Sequence, residues 1–162
     1  MEIRPAIKGQ YRASLKMLRQ TIEVCPEDVW VSGTHPRTFW RIAYHAVFYA
    51  HLYLMQNEAA FQPREKDRPG VTNLWGENPV VEPYSKSDLL THLDSIDGMV
   101  DPMIDSLDLD TADSGFDWYP NFAKLDHVLL SIRHIQGHVG QLSELLFAHG
   151  IETDWVARVP RT

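Results

Sequence analysis

Apolar residues recur at three- and four-residue steps through most of this chain. Ile7, Tyr11, Leu15, Leu18 and Ile22 form one stripe, which predicts a first helix over residues 5–25, opened by Pro5 and stopped by Pro26. The segment PEDVWVSGTHPRT (26–38) carries Gly and Pro punctuation and no period, so it reads as a loop. A second helix is expected from about Arg37 to Gln56. Its run FWRIAYHAVFYAHLYLM is apolar almost all round, the pattern of a helix buried on several sides.

Residues 57–84 are broken by prolines and glycines and keep no period. This connection is roughly twice the usual length of a structureless loop, and long loops of this kind often cover a site. It carries Trp75. Leu89, Leu90, Leu93, Ile96, Val100, Met103 and Ile104 mark a third helix from Ser85 or Ser87, both suitable N-caps, to about Leu107, weakened or bent at Gly98 and Pro102. An acidic, turn-rich stretch follows. The fourth helix spans about Asn121 to His149 on the stripe Val128, Ile132, Ile135, Val139, Leu142 and Leu146, with Gly150 at its C′ position. The tail is expected to dock through Trp155 or Val156. Four long helices and no convincing strand predict an all-α fold, a four-helix bundle forming a single domain over residues 1–162.

Composition narrows the function. The chain has 162 residues and a formal net charge of −7, with no basic face, which argues against nucleic acid as a partner. No apolar run is long enough to cross a membrane, and the N-terminus has no apolar leader core. Cys25 is the only cysteine, which excludes a multi-cysteine metal site and fits a reduced, cytoplasmic setting. Its place at a helix end, with no histidine at readable spacing, argues against a catalytic nucleophile.

Eight histidines are many for this length. His134 and His138 lie one helical turn apart, about 40° round the axis, at the edge of the core-facing stripe. Two imidazoles so placed converge on one ion, although an H-x-x-x-H pair is weak evidence alone. His45, mid-way along the most buried helix, is the best third ligand. The competing reading is a core histidine satisfied by a carbonyl or a tyrosine hydroxyl. Gln141 and Tyr49 are placed to hydrogen-bond a ligand imidazole or a metal-bound water. His51 points about 120° away from His45 and reads as packing or surface. His127 is nearly in line with His134 but reads as solvated, and His35, His92 and His149 as loop or helix-end residues.

The string RHIQGHVGQLSELL (133–146), with the upstream histidine in FWRIAYHAVFYAHLYL (39–54), resembles the DinB-like family, which includes the YfiT-type metal-dependent enzymes. That resemblance implies an antiparallel four-helix bundle with a long crossover between helices two and three. It implies a divalent metal held by His45, His134 and His138, and a homodimer. It also implies hydrolase or thiol-dependent transferase chemistry, with no substrate indicated. Three neutral imidazoles with an open position suit catalysis. Zinc and nickel lead, with iron and manganese as alternatives. Ile135 and Gln136 stand where a zincin-type protease would place its glutamate. The alternative function is a non-catalytic, dimeric metal-binding or stress-related bundle.

Overall fold

The computed structural model describes residues 2–68 and 70–159. It is mostly helical, with four long helices: α1 (Arg4–Glu23), α3 (Phe39–Leu52), α4 (Lys86–Ser106) and α5 (Lys124–Phe147). Each of α1 and α3 packs against both α4 and α5. Leu18, Ile22, Ala43, Val47, Leu89, Ile96, Ile135 and Leu142 close the core between them. At its centre the Tyr11 hydroxyl donates to the Ala50 carbonyl at 2.5 Å and meets Ser131 Oγ at 3.2 Å, joining three helices through one polar atom.

The helix ends follow local chemistry. Ser85 caps α4 by accepting from the Asp88 amide at 3.1 Å. Gly150, at φ 74°, takes the left-handed conformation that turns the chain after α5. The third helix continues through Pro102. The ring removes one N–H, and Gly98, whose carbonyl it would have engaged, is exposed to solvent.

Two expectations need correction. The segment 26–38 is not simply a loop: it holds a one-turn helix, α2 (Glu27–Trp30), and a hairpin of β1 (Gly33–Thr34) with β2 (Arg37–Thr38). Elements of four and two residues are too short to leave a period in the sequence. The second helix ends at Leu52 rather than Gln56, because the chain turns at Tyr53. The tail docks as expected through Val156, which packs on the core, whereas Trp155 is exposed. It runs along α1, where the Gln10 amide donates to the Ala157 carbonyl at 3.1 Å. No helix among the described residues is long and apolar enough to cross a membrane.

The connection between α3 and α4 is irregular apart from a short 3-10 turn (Glu58–Ala60), yet it is firmly attached. Val71 and Leu74 are buried, and Tyr84 stacks on Tyr44 with ring centres 4.3 Å apart. Asp67 closes a local clasp with Arg64 at 2.7 Å and accepts from the Tyr44 hydroxyl at 3.2 Å. These contacts lay the loop across the outer end of α3, above the histidines.

Candidate metal centre

His45 on α3 and His134 and His138 on α5 meet where these helices pack. Their ligand atoms all lie within 4.8 Å of one another. His134 Nε2 sits 3.1 Å from His45 Nε2 and 3.1 Å from His138 Nε2. The sequence therefore placed three rings correctly on two helices, and the fold brings their inner nitrogens to one point.

The outer nitrogens decide what the inner ones can do. His45 Nδ1 lies 2.5 Å from the Thr72 carbonyl, which only accepts, so the proton is on Nδ1 and Nε2 carries a bare lone pair. His138 Nδ1 lies 2.9 Å from Gln141 Oε1, with the same consequence. A proton on His134 Nε2 can be directed at only one of these two lone pairs. A cation satisfies all three nitrogens at once. A metal–nitrogen bond of about 2.1 Å puts tetrahedral ligands about 3.4 Å apart and the ligands of an octahedral face about 3.0 Å apart. The observed 3.1 Å separations fall between these values. The three nitrogens together make a donor set that can hold a metal ion.

Burial keeps these rings neutral, as metal binding requires. It drops His45 to about 4, against the opposing Thr72 bond, with the charges of His138 and Arg37 adding to the drop. It drops His134 to about 3, assisted by His138 and His45. His138 is lowered too, chiefly by burial, while the Gln141 bond resists.

The expected supporting residues divide. Gln141 takes the role foreseen, holding His138. Tyr49 packs its ring against His45 at 4.6 Å and His134 at 5.5 Å, forming a wall of the site. Its hydroxyl faces Thr72 rather than an imidazole, and burial raises its pKa. Both readings of His45 hold, one at each nitrogen: a carbonyl satisfies Nδ1 while Nε2 turns to the cluster.

Arg41 was not anticipated, although a lone charge in an otherwise apolar helix start is a readable signal. It is fully buried one turn before His45. Its guanidinium donates to the carbonyls of Asn73 at 3.3 Å, Pro79 at 3.0 Å and Gly70 at 3.2 Å, and to Asn78 Oδ1 at 2.8 Å. These bonds pin the loop on both sides of Thr72. Arg41 thus sets the carbonyl that sets the His45 tautomer. Trp75, from the same loop, stands edge-on to His45 at 6.1 Å and is 64% exposed, at the rim of the site.

Two histidines are not where the sequence suggested. His92 is fully buried, not a helix-end residue: it lies three residues after Leu89 and four before Ile96, on the core stripe. It pairs with buried His51, His92 Nε2 to His51 Nδ1 at 3.2 Å. His127 is also buried rather than solvated, stacked on Phe116 at 4.4 Å with Tyr53 and Tyr119 around it. Neither belongs to the three-histidine cluster, the one such group among the described residues. His35 and His149 are exposed as expected. Cys25 is buried, and burial raises its thiol to about 11, which removes it from nucleophilic chemistry.

Comparison with protein-family models, with curated proteins and with solved structures finds no match.

Proposed function

We propose that this chain is a metal-dependent enzyme of the DinB-like type, built as an antiparallel four-helix bundle with a long crossover between its second and third long helices. His45, His134 and His138 hold one divalent ion through Nε2. The observation that carries the reading is the pair of fixed tautomers: Thr72 and Gln141 leave two lone pairs facing a third imidazole nitrogen 3.1 Å from each. A structural zinc site uses four protein ligands, so three leave a position for water or substrate. A bound ion supplies an acidified water for hydrolysis or holds a thiol as thiolate for transfer. Trp75 at the rim and Tyr49 along the wall give that position an aromatic border. Homodimer formation belongs to the same proposal.

No carboxylate joins the histidine cluster among the described residues, so a general base from Asp or Glu is missing beside it. This leaves acidification of the nucleophile, water or thiol, to the metal itself. It is also the observation that keeps the non-catalytic, metal-binding bundle as a second reading. Elemental analysis of protein purified without a histidine tag, with thermal melts in added Zn²⁺ or Ni²⁺, tests the metal. About one ion per chain is expected, with stabilisation lost in His45→Ala, His134→Ala and His138→Ala. No stoichiometric ion, together with equal melts for all four proteins, would overturn it. Thiol-dependent turnover of electrophilic acceptors then separates enzyme from binding protein.

A further inference from the structure

Away from the histidines, α1 and α4 meet through a ladder of ion pairs that runs in opposite directions along the two helices. Lys8 Nζ meets Asp105 Oδ1 at 2.6 Å, Arg12 Nη1 meets Asp101 Oδ1 at 2.8 Å, and Arg19 meets Asp94. Each step along α1 is matched by an equal step back along α4, so the rung between the Arg12 and Arg19 pairs would join Lys16 to Asp97.

That rung is missing. Lys16 is exposed and, among the described residues, makes no hydrogen bond and no ion pair. Asp97 meets the flank of Arg12 instead, Nε to Oδ1 at 3.4 Å, which is longer than a strong charge-assisted bond. A cavity of about 380 Å³ opens at the gap, lined by Lys16 from α1, by Asp97 from α4 and by the buried side chains of Leu15 and Leu93.

The C-terminal tail supplies a further wall through Val159. It is tied down at both ends of this stretch: the Asp154 amide donates to Gln20 Oε1 at 2.9 Å, and the Val159 amide donates to the Gly9 carbonyl at 3.3 Å. A Cβ at Gly9 would crowd the Val159 carbonyl oxygen at 3.2 Å, so the tail lies this close because α1 has a glycine there.

The charges at the gap select what could fill it. A simple acid on Lys16 would be repelled by Asp94 and Asp97, and a simple amine on Asp97 by Arg12, Lys16 and Arg19. A molecule carrying both charges satisfies both sides. We propose that this cavity binds a free α-amino acid with an apolar side chain. Its carboxylate meets Lys16, its ammonium meets Asp97, and its side chain lies against Leu15, Leu93 and Val159. The volume falls in the range of small-ligand sites, roughly 300–1,000 Å³. The cavity shares no residue with the three-histidine cluster, so the inference stands apart from the metal reading.

The test titrates the isotope-labelled full chain with L-leucine, isocaproate and isoamylamine. All three share one branched apolar end; they carry both charges, the negative one and the positive one respectively. Amide shifts at Leu15, Lys16, Leu93, Asp97 and Val159 report the site. Leucine is expected to bind at least about tenfold more tightly than either singly charged analogue. Lys16→Met and Asp97→Asn should each remove that advantage, and Lys16→Arg, which keeps the charge, should retain most of it. Both positions are exposed, and the amide spectrum away from the cavity should stay unchanged in all three variants. No saturable leucine binding, an affinity no better than that of isocaproate or isoamylamine, shifts that map outside the cavity, or an advantage that survives both neutral variants overturns the proposal.

Discussion

Six of the histidines sit inside the fold, and they form two kinds of site. At His45, His134 and His138, two outer nitrogens are engaged by Thr72 and Gln141, the third, His134 Nδ1, has no partner, and three inner nitrogens aim at one another. At His51 and His92 a single hydrogen is shared between two rings, and His92 Nδ1 has no partner. At His127 both ring nitrogens are bare inside an aromatic box. Burial keeps every one of these rings neutral. What separates a ligand set from packing is where the lone pairs point, and carbonyl or amide oxygens outside the ring set that direction.

The strongest way to break this contrast is to delete one member of each kind. His134→Ala is expected to weaken Zn²⁺ binding by more than about a hundredfold, beyond the usual effect of a supporting hydrogen bond. His92→Gln and His127→Phe should leave it within about threefold, the scale of a mutation outside the coordination sphere. Competition against a chromophoric chelator measures all three. Comparable losses in the two groups would erase the distinction.

The next effect concerns the groups that direct the lone pairs. Gln141→Leu and Arg41→Met should each lower zinc affinity about 10- to 100-fold, since each frees a ligand tautomer without removing a ligand. Arg41→Met also leaves four loop acceptors unpaired and should show faster amide exchange over residues 70–79. Unchanged zinc affinity in both variants would mean that Thr72 and Gln141 do not set the site.

A smaller effect follows from pH. His92 and His127 are lowered to about 3 by burial, against 6.5 when exposed. Below pH 6.5 the unfolded chain takes up protons that the folded chain refuses, so the metal-free protein loses stability as pH falls from about 6.5 towards 3. Each group contributes at most about 1.4 kcal/mol per pH unit. Urea midpoints between pH 7 and 4.5 should fall less steeply in His92→Gln. Equal slopes would show that His92 is not neutral in the fold.

The smallest expected change is a gain. His127→Phe removes two unpartnered buried nitrogens from a box of Phe116, Tyr53 and Tyr119, and should stabilise the protein by about 1 kcal/mol. A thermal melt below that of the wild type would assign His127 a polar partner.

The helices and the meeting of His45, His134 and His138 were legible in the sequence, because both depend on spacing. His134, His138 and Gln141 fall on one flank of α5 by helical geometry alone. His45 stood out as a polar residue in an apolar helix, and by the same rule Arg41 was readable. Thr72 was not, since what it contributes is a main-chain carbonyl, placed by a loop without periodicity. The hairpin was hidden for a related reason: strands of two residues show no alternation. His92 and His127 are buried against the expectation for a polar residue, because position on the core stripe outweighs residue type. Imidazole is small enough to enter a core when aromatic neighbours surround it.

The four bonds of Arg41 also set a clock. Gly70, Asn73, Asn78 and Pro79 are held by a single guanidinium, so the stretch around Thr72 lifts as one piece or stays closed. An ion beneath it would leave at the rate of that lifting. Stripping by a chelator should then reach a ceiling that added chelator does not raise, and Arg41→Met should remove the ceiling.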